Sequence, residues 1–196
     1  ADTLYCTAWV DLGAEPWVVS WPAMPDRYYL MPMLDGWTNV VASAGSRTTG
    51  DQAQTYVIAG PKFRGTTPPG IPVVRSPTDM MWILGRVYCT GTPDDYAAVH
   101  AIQDRMTLQP LSTYGRTWTP PAGRVDPAVD MRTGVREQVD RMSGVDFFRL
   151  LAELMMVNPP AAADARFVAR MARIGLVPGR AFDSKRATQS VRRTID

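Results

Sequence analysis

The sequence predicts a mainly β fold: a β-sandwich or jelly-roll-like domain over residues 1–120, then a linker and helical region over residues 121–196. Three observations support this prediction. In the first half, short runs of aromatic and β-branched residues alternate with turn residues every 8–12 residues or so, about the spacing of sandwiches and jelly rolls. The segment Leu108–Gly123 holds three prolines and two glycines, which is typical of a long loop. Beyond that loop, apolar residues recur at helical spacing.

Seven strands are predicted, each ended by glycine, proline or polar turn residues. They are Thr3–Val10, Trp17–Trp21, Arg27–Leu34, Trp37–Ala42, Gln54–Ala59, Ile71–Val74 and Met80–Cys89. Asp35-Gly36 lies between the third and fourth runs and predicts a hairpin turn there.

A helix is predicted directly after the last strand. Thr92 can cap it, Pro93 fits its first position, and Asp94 and Asp95 suit the positive end of its dipole. The apolar residues that follow at helical spacing are Val99, Ile102 and Met106.

Two more helices are predicted in the last third of the chain. Ser143 can cap Val145–Val157, which Asn158-Pro159-Pro160 ends, and Ala162–Ile174 follows with Gly175 as a left-handed cap. We expect one inward apolar stripe on each helix. These stripes are Phe147, Leu150, Leu151 and Leu154 on the first helix, and Phe167, Val168 and Met171 on the second.

Composition excludes several classes of function. The net charge of +2 gives no indication of a nucleic-acid partner, and no apolar run approaches the roughly 20 residues of a membrane span. No cofactor is expected, because there is no glycine-rich phosphate loop, and His100, the only histidine, cannot make a zinc site alone. No metal is expected; the alternative is a magnesium or calcium site at Asp2, Asp11 and Asp35, which no motif specifies. Cys6 and Cys89 each lie in an apolar run, which favours two buried free thiols over a disulfide.

Polar residues that lie within or at the ends of apolar strands are the candidates for a site. We take Asp2, Tyr5, Asp35 and Arg86 as candidate catalytic residues gathered at a polar pocket. Alternation along the last strand places Arg86 and Tyr88 on the same face as Trp82 and Leu84. A structural alternative for Arg86 is an ion pair with an aspartate that locks two strands together.

Candidate ligand-binding residues are Tyr28, Trp37, Arg47 and Tyr88. Aromatic side chains on a sheet can form a platform for sugars or apolar ligands. The same side chains also serve cross-strand packing, which is the alternative interpretation.

Several segments, in this order, resemble bacterial proteins of domain-of-unknown-function family 1254, and the resemblance covers nearly the whole chain. They are Asp2-Thr3-Leu4-Tyr5, Asp26-Arg27-Tyr28-Tyr29, Asp35-Gly36-Trp37-Thr38-Asn39-Val40, Arg47-Thr48-Thr49-Gly50, Trp82-Ile83-Leu84-Gly85-Arg86, Gly91-Thr92-Pro93-Asp94-Asp95-Tyr96, Pro110-Leu111-Ser112, Tyr114-Gly115 and Asn158-Pro159-Pro160.

The resemblance implies a helical segment before the first motif and a second β-domain, family 1214, after the last. The chain is therefore expected to be a fragment or a shortened relative. Its edges would then lack cover, so we expect a homo-oligomer or a complementing chain. The resemblance also implies a periplasmic or extracellular location.

Two functions remain open from the sequence. One is a hydrolase-like or small-ligand-processing protein with a polar pocket at the strand ends. The other is a non-catalytic ligand-binding or structural β-domain within a larger assembly. The absence of a complete nucleophile–base set favours the second, and polar residues around an apolar face favour the first.

Overall fold

A computed structural model describes residues 2–186. The strands are β1 (Thr3–Asp11), β2 (Trp17–Trp21), β3 (Tyr29–Asp35), β4 (Val40–Gly45), β5 (Gln54–Ala59), β6 (Val73–Arg75), β7 (Met80–Tyr88) and β8 (Thr107–Pro110). The α-helices are α1 (Pro93–Gln103), α2 (Val135–Asp140), α3 (Gly144–Val157) and α4 (Ala165–Met171). All seven predicted strands are present, and β2 and β5 have the predicted bounds.

The strands form two four-stranded sheets, which confirms the predicted sandwich-like, strand-rich fold with helices mostly in the C-terminal part. Sheet A has the order β1-β7-β3-β4, and sheet B has the order β6-β5-β2-β8. All of the pairings are antiparallel except that of β5 with β6. Strands β1 and β4 are therefore the edges of sheet A, and β6 and β8 are the edges of sheet B.

The core lies where the two sheets face each other. Alternate residues of β3 and β7 point inward from sheet A, including Met31, Met33 and Ile83, while Trp21 and Ile58 contribute from sheet B. Each such side chain that is fully buried stabilises the fold by roughly 1.5–3 kcal/mol. Glycine at position 85 allows close packing, because a Cβ there would lie 2.6 Å from the sulfur of Met31 and 3.1 Å from the backbone carbonyl oxygen of Cys6.

The sequence does not predict strand β8, because Leu108, Gln109 and Pro110 belong to the proline-containing segment expected to be a loop. It pairs with β2, with Val19 opposite Leu108 and Trp17 opposite Pro110. Proline is tolerated there because β8 is an edge strand, where a missing backbone N–H costs no ladder hydrogen bond. The loop prediction is therefore wrong for its first residues.

Helix α1 begins as the sequence predicts. Thr92 Oγ1 accepts a hydrogen bond from the backbone N–H of Asp95 at 3.3 Å, and Pro93 lies at the first helical position. Val99 is fully buried against the sandwich core, and Ile102 packs there in part. The helix thus joins β7, the neighbour of edge strand β1 in sheet A, to β8, an edge strand of sheet B.

The chain divides into two compact units, Ala1–Thr119 and Pro120–Asp196. In the second unit, Ser143 caps α3, Asn158 ends it, and Gly175 has the left-handed φ of 89° that the sequence predicts. The rings of Phe148 and Phe182 are 5.5 Å apart.

The inward stripe predicted for α3 is wrong for Phe147, Leu150 and Leu154, which are exposed, while Ala152 and Met155 are buried instead. On α4, Val168 and Met171 of the predicted stripe are half-buried, and Phe167 is exposed. Helix α3 is apolar on more than one face, so helical spacing alone permits either face to turn inward.

Both cysteines are free thiols, as predicted; Cys89 is buried and Cys6 is half-buried. Across residues 2–186, no helix is both long and apolar enough to cross a bilayer.

Candidate ligand-binding face

The solvent-facing side of sheet A carries most of the residues that the sequence marks as site candidates. The pairing of β1 with β7 places Tyr5 opposite Arg86 and Trp9 opposite Trp82. On β7 the residues Met81, Ile83 and Val87 are buried while Arg86 and Tyr88 are exposed, so the predicted alternation is confirmed. We call this side, formed by Thr3, Tyr5, Thr7, Trp9, Tyr28, Leu30, Pro32, Leu34, Trp82, Leu84, Arg86 and Tyr88, the outer face.

One end of the outer face carries two arginine–tyrosine pairs. The guanidinium carbon of Arg86 lies 5.1 Å from the ring centre of Tyr5, and that of Arg47 lies 5.1 Å from the ring centre of Tyr28. Both arrangements are cation–π contacts. Tyr88 lies beside them, since its backbone N–H donates to the carbonyl of Tyr28 at 2.9 Å. We call Tyr5, Tyr28, Arg47, Arg86 and Tyr88 the arginine–tyrosine cluster.

The cluster is open to solvent. Tyr5 is 56% exposed and Tyr88 is 44% exposed, and both arginines are exposed. Within the described part of the chain, neither Arg47 nor Arg86 forms an ion pair. The ion pair that the sequence offered as an alternative for Arg86 is therefore not found among the described residues. The guanidinium of Arg86 contacts the ring of Tyr5 instead.

Arg27, the neighbour of Tyr28 in the chain, is used differently. It donates to Asp95 at 2.6 Å and to the carbonyl of Tyr88 at 2.7 Å. The hydrogen bonds to Arg27 and Thr90 hold the pKa of Asp95 well below its usual range. This ion pair connects the residues just before β3 to the first turn of α1, and Arg27 also holds the backbone carbonyl of Tyr88 in place.

The other end of the outer face is aromatic and apolar. The indoles of Trp9 and Trp82 stack with ring centres 5.0 Å apart and an interplanar angle of 4°. The indole N–H of Trp82 donates to Thr7 Oγ1 at 2.8 Å, which fixes the ring on the sheet. Trp9 is 62% exposed, so one face of this stack is open to solvent.

Asp35 does not lie with the cluster. It is opposite Met81, five residues along β7 from Arg86, or about 17 Å at about 3.4 Å per residue. Its carboxylate is buried and accepts the backbone N–H groups of Trp37 and Asn39, both at 2.9 Å. Asp35 therefore organises the turn after β3, and Trp37 lies in that turn.

Asp2 lies just before β1 at the cluster's end of sheet A. It is exposed, and its carbonyl accepts a hydrogen bond from the backbone N–H of Cys89 at 3.1 Å. The structure thus brings five predicted residues together, places Asp2 at the same end of the sheet, and separates Asp35 and Trp37 from them.

Sequence reasoning did not single out the Arg27–Asp95 pair. The two residues are 68 positions apart in the chain. Local sequence already accounts for each of them, because Arg27 lies at the start of a predicted strand and Asp95 lies in the first turn of α1. No sequence spacing indicates such a contact, so only the tertiary fold could reveal it.

Comparison with known proteins places the chain in a family. The family described as "Protein of unknown function (DUF1254)" matches residues 1–110, more than half of the chain. The chain belongs to this family. No curated protein matches it. The residues that match the DUF1254 family run from β1 through β8, so the match covers both sheets.

A solved structure similar to this DUF1254 chain is that of the VPA0106 protein from Vibrio parahaemolyticus. The two share 22% sequence identity with a TM-score of 0.72, over 98% of this chain and 45% of the other. The chain therefore spans less than half the length of that protein. At this identity the likeness concerns the fold.

Proposed function

We propose that this chain is a non-catalytic ligand-binding domain that takes a small anionic ligand with a planar ring at the arginine–tyrosine cluster. The observation that supports this is the placement of Arg47 and Arg86, both exposed, outside any ion pair of residues 2–186, and each held over a tyrosine ring. Guanidinium groups bind carboxylates through paired hydrogen bonds, and flat rings stack on tyrosine.

Binding is favoured over catalysis by the chemistry of the cluster. Its side chains are phenols and guanidiniums, which offer hydrogen-bond donors and flat faces to a ligand, and it contains no carboxylate, imidazole or thiol. Of the two candidate carboxylates, Asp35 binds the backbone of its own turn. Among the described residues, no hydrogen bond or ion pair joins the carboxylate of Asp2 to the cluster. His100 is exposed on α1 and belongs to neither the cluster nor the outer face. A hydrolase-like reaction has less support from this arrangement.

Titration with benzoate, using benzamide as the neutral analogue of the same shape, tests the proposal. We expect benzoate to bind more tightly than benzamide, and its affinity to fall as salt rises, because the contact is charged and exposed. Arg86→Gln should weaken benzoate binding by about tenfold to a hundredfold, since a charge-assisted hydrogen bond contributes about 1.5–3 kcal/mol.

Arg105→Gln is the matched control. Arg105 is an exposed arginine just after α1, so this variant loses the same charge without touching the cluster. Equal affinities for benzoate and benzamide would show that the cluster is not the binding site. An equal loss of benzoate affinity in Arg86→Gln and Arg105→Gln would show the same.

We further propose that the chain self-associates through β1, one of the two edge strands of sheet A. Strand β1 is an edge strand, and Trp9 on it is largely exposed. An edge strand offers unpaired backbone groups to a second copy.

A further inference from the structure

An open cavity of about 360 Å³ adjoins the arginine–tyrosine cluster. Its wall comes from two segments of the chain, the residues just before β3 and those between β4 and β5. Tyr28 belongs both to this wall and to the cluster. A molecule held at the cluster can therefore extend past the Tyr28 ring into the cavity.

Hydrogen bonds join the two segments of the wall. Ser46 Oγ accepts from the backbone N–H of Tyr29 at 3.0 Å and donates to the carbonyl of Arg27 at 3.3 Å. The hydroxyl of Tyr29 donates to the carbonyl of Gly50 at 2.7 Å. These bonds fix one segment relative to the other, so the cavity is largely preformed, as binding sites for small molecules usually are.

The cavity carries negative charge that has no cationic partner. Asp26 and Asp51 both lie in its wall, and neither forms an ion pair among residues 2–186. The charge of Arg27, which is also in the wall, is already matched by Asp95. Asp51 accepts one hydrogen bond, from the side-chain amide of Gln52 at 2.8 Å. A carboxylate has about four acceptor positions, so both aspartates can still accept hydrogen bonds from a ligand.

Unpaired charges of opposite sign thus meet at Tyr28. Arg47 follows Ser46 directly in the chain, yet its guanidinium lies over the Tyr28 ring and pairs with neither aspartate of the wall. The cluster is therefore positive and the neighbouring cavity negative. A ligand that carries one charge of each sign would complement both.

We propose that the ligand of the arginine–tyrosine cluster is a zwitterion, an aromatic carboxylate that also carries a primary ammonium group. Its carboxylate would bind at Arg47 and Arg86, and its ring would stack on tyrosine. Its ammonium group, which has three donors, would lie in the cavity with Asp26 and Asp51. This inference rests on the proposed function, because it assigns the second charge of the same ligand.

The test compares 4-(aminomethyl)benzoate with 4-(hydroxymethyl)benzoate by isothermal titration calorimetry of the wild-type chain. The two molecules have the same carboxylate and nearly the same shape, but only the first carries an ammonium group near neutral pH. We expect the first to bind about twofold to tenfold more tightly, since partly exposed ion pairs contribute modestly. This advantage should shrink as salt rises, because the charges are screened.

Two variants locate the ammonium group. Asp26→Asn and Asp51→Asn each remove one negative charge from the cavity and keep an acceptor oxygen. Asparagine also tolerates the left-handed backbone of residue 26, whose φ is 61°, so the fold should be kept. Each variant should reduce the advantage of 4-(aminomethyl)benzoate without weakening 4-(hydroxymethyl)benzoate. Asp104→Asn, which removes an exposed carboxylate just after α1, is the matched control and should change neither affinity.

Equal affinities for the two benzoates in the wild type overturn the inference, and so does an equal change in Asp104→Asn and the two cavity variants. The proposed function survives either result, because 4-(hydroxymethyl)benzoate would still bind and Arg86→Gln would still weaken it. If neither benzoate binds to the wild type, the inference and the proposed function are both overturned.

Discussion

Arg27 and Asp95 form a two-pronged ion pair that joins residues 68 positions apart. One guanidinium nitrogen lies 2.6 Å from a carboxylate oxygen, and the other lies 3.3 Å from the second oxygen. The second of these nitrogens also donates to the carbonyl of Tyr88 at 2.7 Å. Because Tyr88 carries part of the arginine–tyrosine cluster, this pair positions the backbone of the proposed site without belonging to it.

The Asp95 carboxylate should make stability depend on pH. Its folded pKa is lowered, chiefly by the hydrogen bond from Arg27, so its stabilising effect is fully present above the unfolded pKa of about 4. The effect is lost as pH falls below that value towards the lower folded pKa. Urea unfolding of Asp95→Asn should show less stability than the wild type at pH 7 and a difference that shrinks below about pH 4. A difference independent of pH would contradict this.

Asp35 should matter for folding and not for ligand binding. Asp35→Ala leaves the N–H groups of Trp37 and Asn39 without their acceptor and should cost about 2–4 kcal/mol of unfolding free energy. Asp35→Asn keeps one acceptor oxygen and should cost less. Denaturant titration measures both, and benzoate affinity should be unchanged in the folded variants. If a variant lost benzoate binding but kept full stability, Asp35 would have to take part in ligand binding.

Arg86 should contribute little to stability. It is exposed, and its described contact is the ring of Tyr5, a type of pair that contributes about 0.5–1 kcal/mol at exposed sites. Arg86→Ala should therefore lower the unfolding free energy by less than about 1 kcal/mol. Tyr5→Phe, which keeps a ring, should change it less than Tyr5→Leu. A loss of several kcal/mol would show that Arg86 has a buried charged partner.

The two thiols should differ in reactivity. After denaturation without reductant, thiol titration should find both cysteines free, as the structure has them. In the native protein, Cys6 should react with N-ethylmaleimide before Cys89, which is 2% exposed. Because burial raises the pKa of Cys6, its rate should keep increasing above pH 9 or so, past the usual thiol pKa of about 8.5. Cys6→Ser should remove the faster phase. A slow phase alone would show that Cys6 is closed to solvent.

Self-association should appear in sedimentation velocity over a range of concentrations. Pairing at the β1 edge predicts that Trp9→Lys, which adds an exposed charge to that strand, shifts the protein towards the monomer. Val73→Lys on β6, an edge of the other sheet, is the matched control and should leave the distribution unchanged. A wild-type monomer at every concentration would contradict the proposal.

Local chemistry determined much of this protein from the sequence alone. The bounds of β2 and β5, the Thr92 and Ser143 caps and the left-handed Gly175 depend on neighbouring residues in the chain, so reading adjacent residues was sufficient. The alternation along β7 likewise placed Arg86 and Tyr88 on one face before any partner strand was known.

Contacts between distant segments were decided by the tertiary structure. Sequence could not show that Tyr5 lies opposite Arg86, or that Asp35 lies at the other end of the same sheet, because strand register depends on which strands pair. Strand β8 was missed for a similar reason, since Thr107–Pro110 becomes a strand only beside β2. The face that α3 buries was undecided as well: its apolar residues surround the helix, and burial was settled by packing rather than by periodicity.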